Sequence, residues 1–477
     1  MKKKVLSTLL ALTMAGTMLA GCGGNSGASD SGDGAAETSA DTGDEAEDTA
    51  DAPEAADDVE PTAQDTVGPE DGTKLNLWTF ADVHAGFYKN MVELWNKENP
   101  DKQLCVTVTA YPYQEMHTKL TMALQTGEGA PDISDIERAK FPNYLQGEPQ
   151  LVPLNEWIAP IEDQLIESRL TIYGKDGNYY GAPFHVGAEV MYYNDEILSA
   201  NGIDYTTIKT WDDFTEAAKT LKEATGGKVK MTSVDTTGVD DWMWSTMAAY
   251  EEDQVKEDGT AYITDHVQEM LSMQQEWLKD ELVDISPDGD LDREVSFQYI
   301  SDGNIAAFPK ALWYMSRFTQ YMPDQKGKWA IAPMPTFEEG QPRSVGMGGT
   351  GTAVTKQSKN PELAAEFIVW CKLSEEGSAQ IWDQLGFDAV NTAFWTDPEI
   401  TQNPDNQYLQ FFKTNPFDVL GEIKDEVQGI SINSNTVALA DYVNTTMLNN
   451  ILKDNMPVDE AVQDAMDAVA ADNIPLK

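Results

Sequence analysis

The stretch from Ile172 to Asn194, I-Y-G-K-D-G-N-Y-Y-G-A-P-F-H-V-G-A-E-V-M-Y-Y-N, constrains the fold more than any other part of the chain. Asp176-Gly177, set between Ile172-Tyr173 and Tyr179-Tyr180, predicts a hairpin, because glycine accepts the positive φ of a tight primed turn. After Pro183, residues Val186, Ala188, Val190 and Tyr192 alternate with His185, Gly187, Glu189 and Met191, which is the period of a strand. The chain therefore leaves the hairpin extended.

The body from Lys74 onward, about 400 residues, is too long for one hydrophobic core and predicts two lobes. It opens with a strand at Leu75, Leu77 and Trp78. From His84 the spacing of Phe87, Met91, Leu94 and Trp95 is helical, and Asn99-Pro100 stops that helix before a second strand at Leu104 to Thr109. An amphipathic helix follows from Met116 to Leu124, and Ala130-Pro131-Asp132-Ile133 begins the next strand. Beyond the extended stretch, Thr210 is placed to cap a helix over Trp211 to Leu221 with Asp212 and Asp213 in its first turn. Further helices are expected at His266 to Leu278, Glu362 to Leu373, Val437 to Leu452 and Val458 to Ala470. Strands are expected on entering Phe308, at Trp329 to Pro333 and at Thr352 to Thr355.

Lys2, Lys3 and Lys4 precede an apolar run, Val5 to Ala20, too short for a membrane span and ending in small residues, which reads as an export signal over residues 1 to 22. Leu19-Ala20-Gly21-Cys22 resembles a bacterial lipobox, with Cys22 the lipid-modified residue. Residues 23 to 73 hold about 16 acids and no Lys or Arg, too little apolar surface to offset the entropy of ordering, and predict a disordered acidic tether. No later stretch approaches the ~18 apolar residues of a spanning helix, so the expected arrangement is a body held at the outer face of the cell membrane by its anchor. The net charge of -49 makes nucleic acid and anionic membrane surfaces poor partners. Cys105 and Cys371 both read as buried faces.

Several segments at their spacing and in this order resemble one family. They are the D-G-N-Y-Y-G-A-P…Y-N stretch, G-A-P-D-I at Gly129 to Ile133, T-W-D-D-F at Thr210 to Phe214, and G-N-I-A-A-F…W from Gly303 to Trp313. The family is the extracellular solute-binding proteins (family 1) of carbohydrate ABC importers, the group related to maltose-binding protein. The resemblance implies an α/β, two-lobed periplasmic-binding-protein-like fold, each lobe a mixed sheet flanked by helices and joined by hinge crossings. It places the first lobe at 74 to 184, the second at 185 to 335, a return segment at 336 to 390 and the second lobe's C-terminal helices at 391 to 477. Phe184 to Val190 would be the first hinge strand, and Gly386 to Asn391 the third crossing.

Enzyme signatures find little support. Gly346-Met347-Gly348-Gly349-Thr350-Gly351 matches the dinucleotide fingerprint as a string, but a strand and not a helix is expected after it, so it reads as a glycine turn at a crossing. Asp288, Asp290 and Asp292 suggest a calcium loop, yet Arg293 and Tyr299 stand where such a loop needs Gly and Glu. His84, His117, His185 and His266 show no ligand spacing, so neither metal nor cofactor is expected. With 12 Trp and 17 Tyr the chain is instead suited to carbohydrate, whose C–H faces stack on rings and whose hydroxyls need fixed polar partners. By the resemblance, Trp78, Phe80 and Asp82 follow the first strand, and Asp135 and Glu137 follow the third. His185 lies at the hinge, Asp241 and Trp242 in a second-lobe loop, and Trp313 where the family has a stacking tryptophan. Gly187 stands where maltose-binding protein has an acidic contact, which leaves the sugar open. The implied function is capture of an extracellular carbohydrate, read as an oligosaccharide, by hinge closure and delivery to membrane permease subunits. Two alternatives remain from the residues alone: a receptor for another solute, a polyamine or a metal chelate, or a surface glycoside hydrolase with two carboxyl groups about 5 to 10 Å apart.

Overall fold

The segment Leu104–Ala110 is largely buried on both faces, and it lies inside a sheet and not at its margin. In the computed structural model, which describes residues 59–471 save 239 and 257, that sheet has six strands. Their order is Ala63–Val67, Leu104–Ala110, Thr73–Thr79, Ile133–Glu137, Thr350–Val354 and Ala182–Pro183. Thr73–Thr79 runs parallel to both neighbours, with Asp82–Glu98 as the crossover helix to Leu104–Ala110. Thr350–Val354 enters antiparallel to Ile133–Glu137, far from it in sequence. Phe87, Tyr88, Met91 and Trp95 of the helix are buried, the face that the helical spacing requires.

A second, three-stranded antiparallel sheet has Glu189–Asn194 between Ala307–Ala311 and Trp329–Ala332. A parallel pair, Thr232–Val234 with Val283–Ile285, joins it through Lys230 and Met231. Helices Trp211–Thr225 and Asp265–Lys279 cover this lobe, and Thr210 caps the first in a reciprocal capping box with Asp213. The C-terminal helices Ser434–Tyr442, Leu448–Leu452 and Val458–Ala471 pack here too, the first two joined by a π-turn at Val443–Met447. Among the described residues no helix is long and apolar enough to cross a membrane, and Cys105 and Cys371 are buried and unbridged.

Asp176 and Gly177 take φ of 51° and 76° in the expected hairpin, Gly174–Lys175 against Asn178–Tyr179. The extended stretch after it differs from simple alternation. Every residue from Tyr180 to Tyr193 is buried, because the chain passes from an edge of one sheet to the middle of the other and is covered on all sides.

Three expectations shift. Cys22 and residues 23 to 58 lie outside the described residues, but the tether expected to reach Thr73 ends sooner. Ala63–Val67 is an edge strand paired to Leu104–Ala110, held by main-chain bonding that its polar composition conceals. The return to the first sheet begins at Thr350, later than 336, because Ser344–Val345 pairs with Val427–Gln428 and Arg343 binds Glu422 and Glu426. The strand at Phe308 is preceded by a helix, Glu294–Ser301, so only Ala307–Ala311 is extended.

Candidate functional site

Three segments cross between the sheets side by side. The Gly187 carbonyl accepts from the Met347 N–H at 2.8 Å, and the Phe184 N–H donates to the Thr350 carbonyl at 3.2 Å. Asp388 ties in the third segment: its carboxylate accepts from the N–H groups of Gly187 at 3.1 Å and Ala188 at 2.7 Å. Burial raises the Asp388 carboxyl to about 7 against the pull of these two donors. Gly187 has φ of +65°, and a Cβ there would lie 1.9 Å from the Met347 carbonyl oxygen. Arg169, buried, donates to the carbonyls of Gly346 at 2.9 Å and Gly348 at 2.6 Å, which fixes the second crossing.

Polar atoms converge on this crossing. His185 Nδ1, Trp313 Nε1 and the Tyr173 hydroxyl are all buried and have no protein hydrogen-bond partner. Trp313 and His185 flank Gly348, where a Cβ would sit 3.0 Å from Trp313 Nε1 and 3.7 Å from His185 Cε1. Burial first, then the charge of Arg169, holds the His185 imidazole well below its ordinary range, so it is neutral and carries one donor and one acceptor. Buried polar groups are almost always bonded, so these three atoms leave hydrogen-bonding capacity beside the crossing that the protein itself does not fill. From the first lobe, Arg138 lies with its guanidinium 4.1 Å from the ring centroid of Trp244 in the second, both buried, and the Arg138 main-chain N–H donates to the Gly349 carbonyl. The two lobes touch through this pair.

The second lobe adds a charged floor. Lys310, on Ala307–Ala311, meets Asp241, Asp235 at 3.2 Å and Asp290 at 3.5 Å. Burial pulls its ammonium down, but Asp241 and Asp235 outweigh it and hold it well above the usual range. Burial raises both of those carboxyls in turn, opposed by Lys310. Outward from here Arg317 grips Asp292 through Nε at 2.7 Å and Nη2 at 3.0 Å, and its guanidinium lies 5.3 Å from the Trp313 ring. A groove of about 600 Å³ continues between the lobes, lined by Phe80, Asp82 and Tyr111 on one side and Asp292, Phe297 and Arg317 on the other.

The family described as bacterial extracellular solute-binding protein matches residues 79–378. The chain belongs to that family. An arabinooligosaccharide-binding protein of Halalkalibacterium halodurans is 41% identical to this solute-binding protein over 410 residues, 84% of this chain and 90% of that one. A protein of the same name from Bacillus subtilis is 36% identical over 397 residues, 82% and 90% of the two chains. Two solved structures share the fold. The sugar-binding protein MalE of Xanthomonas citri aligns at TM-score 0.69 and 16% identity, over 83% of this chain and 96% of that one. The binding protein of an ABC transporter from B. animalis subsp. lactis Bl-04, solved with beta-1,6-galactobiose, aligns at 0.66 and 22%, over 84% and 97%. These are two-lobed proteins, and the family and its named relatives are binding proteins and not enzymes.

In this solute-binding protein the sequence-derived site residues divide. His185, Trp313 and Asp241 stand at the crossing and the charged floor, and Phe80 and Asp82 line the groove. Glu137, half-buried beside Arg138, accepts from the Tyr113 hydroxyl at 3.2 Å and the Ala139 N–H at 2.8 Å. Three are corrected. Trp78 is inside the strand Thr73–Thr79, not after it, and packs edge-on to Tyr111 in a core. Asp135 is wholly buried and occupied by protein donors, accepting from Thr79, His84, Tyr88 and Thr352. Trp242 belongs to a helix, Asp240–Ala249, and not to a loop, so its ring turns inward against Trp211 and Trp277. Two positions on, Trp244 points to Arg138 instead, as a step of about 200° around a helix requires. The acids Asp290 and Asp292 are engaged by Lys310 and Arg317. Arg138, Trp244, Lys310 and Arg317 escaped the sequence reading, although Arg138 directly follows a strand's carboxyl end, the usual ligand position in such lobes.

Proposed function

We propose that this exported solute-binding protein captures an arabino-oligosaccharide between its lobes by hinge closure and delivers it to the permease subunits of an ABC importer. In this reading the chain is held at the outer membrane face by lipidated Cys22. The observation that carries it is the set of buried, unpartnered hydrogen-bonding atoms of Tyr173, His185 and Trp313 at the point where the chain crosses between lobes. A ring, a neutral imidazole and a hydroxyl suit a ligand of C–H faces and hydroxyls better than a cation, which would want carboxylates free of Lys310 and Arg317. The two arabinooligosaccharide-binding relatives, covering most of the chain, support the sugar class. Contacts from both lobes exist together only in the closed form, so ligand shifts the population toward it and breaks no bond. Thermal unfolding with a panel of arabino-oligosaccharides, malto-oligosaccharides and spermidine tests the assignment. The right ligand at ~100 times its dissociation constant adds ~2.7 kcal/mol of stability. Stabilisation by spermidine alone, or by none of the panel, overturns it.

A further inference from the structure

Among the described residues four large apolar side chains are exposed, Val83, Tyr113, Val295 and Tyr321, at 44%, 38%, 47% and 56%. Three of them, far apart in sequence and from both lobes, gather at one place. Val83 and Tyr321 line the 600 Å³ groove from opposite lobes. Tyr113 stands edge-on to the lining residue Phe80 at 5.3 Å. Scattered exposed apolar residues need no explanation, but a cluster rimmed by charge marks a contact surface.

We propose that this groove is an outer sugar subsite, with Tyr321 as the platform for the distal units of an oligosaccharide whose inner end lies at Trp313; the assignment rests on the carbohydrate reading above. The two rings of Tyr321 and Phe297 are stacked at 4.7 Å and 5°, so Phe297 backs one face of Tyr321 and fixes its orientation while much of that ring stays open. Buried Phe297 in turn is anchored in the core, which makes the platform rigid before any ligand arrives. Polar partners for hydroxyls stand around it: Asp82, which accepts from Thr62 Oγ1 at 2.8 Å, and the Arg317–Asp292 pair. Continuity with the inner site is direct, since the Arg317 guanidinium that grips Asp292 in the groove also lies over Trp313. The occupant is a sugar and not a flat protein surface, because the groove is concave, shared by two lobes, and combines ring faces with charged groups in the manner of a small-molecule site. A permease subunit resting on the same rim is the competing occupant and gives a different result below.

Calorimetric titration of the full chain with a ladder of arabino-oligosaccharides, from the disaccharide upward, tests this in wild type, Tyr321→Ala and Tyr321→Phe. Wild-type affinity should rise with length once the inner site is filled. Tyr321→Ala should bind the shortest ligand as wild type does and the longest about 2- to 12-fold more weakly, the range expected for one ring stack. Tyr321→Phe, which keeps the ring, should retain the length dependence. Identical length dependence in all three proteins overturns the subsite while leaving the carbohydrate reading intact, and so does an equal loss at every length, which would signal a structural role. Unchanged binding with impaired uptake by cells assigns the rim to the permease and also overturns it. Failure of wild type to bind any member of the ladder overturns the carbohydrate reading itself, and this subsite with it.

Discussion

Replacing Gly187 with alanine puts the hinge argument at risk most sharply, because the chain supplies its own control. Gly187 and Gly177 have φ of +65° and +76°, so alanine pays the same left-handed conformational penalty at either, about 1 to 2 kcal/mol. Their surroundings differ. At Gly177 a new Cβ meets nothing within 4 Å, whereas at Gly187 it lies 1.9 Å from the Met347 carbonyl oxygen, a main-chain atom that cannot swing aside. The crossing strands must part, which loosens the Met347 N–H bond to Gly187 at 2.8 Å and the Gly187 N–H bond to Asp388 at 3.1 Å. At roughly 1 kcal/mol for the first and about 2 kcal/mol for the second at pH 8, where Asp388 is ionised, Gly187→Ala should cost about 4 to 5 kcal/mol in all. Urea unfolding of the ligand-free proteins, followed by circular dichroism, measures both variants. Equal losses at the two positions would refute the claim that the crossing is packed main chain to main chain.

Other expectations follow from the same geometry. Trp313→Ala should weaken sugar binding by about 1 to 3 kcal/mol, or about 5- to 150-fold by calorimetry, with a smaller change in ligand-free melting since the ring is only partly buried. Arg138→Lys should lower affinity several-fold, because an ammonium lacks the flat face that lies on Trp244. Lys310→Met should destabilise the protein by about 3 to 5 kcal/mol at pH 8, where it strands buried carboxylates, and by less at pH 5, where Asp235 and Asp241 hold protons. Asp388 is raised in the folded state, so between its ordinary value near 4 and about 7 the native protein holds a proton that the unfolded chain has released. Its contribution to stability is present below pH 4 and lost as pH rises toward 7. Asp388→Asn should flatten that slope in urea midpoints measured across the window.

Local signals carried most of the fold. The Asp-Gly turn, the Thr210 cap and the apolar spacing of Asp82–Glu98 each rest on contacts within a few residues, and each is in place. Pairing across long stretches was harder to read: Ala63–Val67 looks like tether because its order comes from Leu104–Ala110, some 40 residues on. At the crossing, the positions of His185 and Trp313 were legible through the spacing of their segments. Asp135 was not, since a carboxylate after a strand reads alike whether it faces a ligand or four protein donors. Trp242 was read as a loop residue and Trp244 passed over, because the D-D-W-M-W string does not show that the helix Asp240–Ala249 carries both. Lys310 gains its meaning only from acids 20 to 75 residues away in the chain and Arg317 from one 25 residues away, and no local pattern records that.

Closure on a sugar is the central claim, and small-angle X-ray scattering during a calorimetric titration with an arabino-oligosaccharide tests it most directly. Saturable one-to-one binding should be accompanied by a fall in the radius of gyration that tracks occupancy. Saturation with an unchanged radius, or no binding of any sugar, would contradict capture between the lobes.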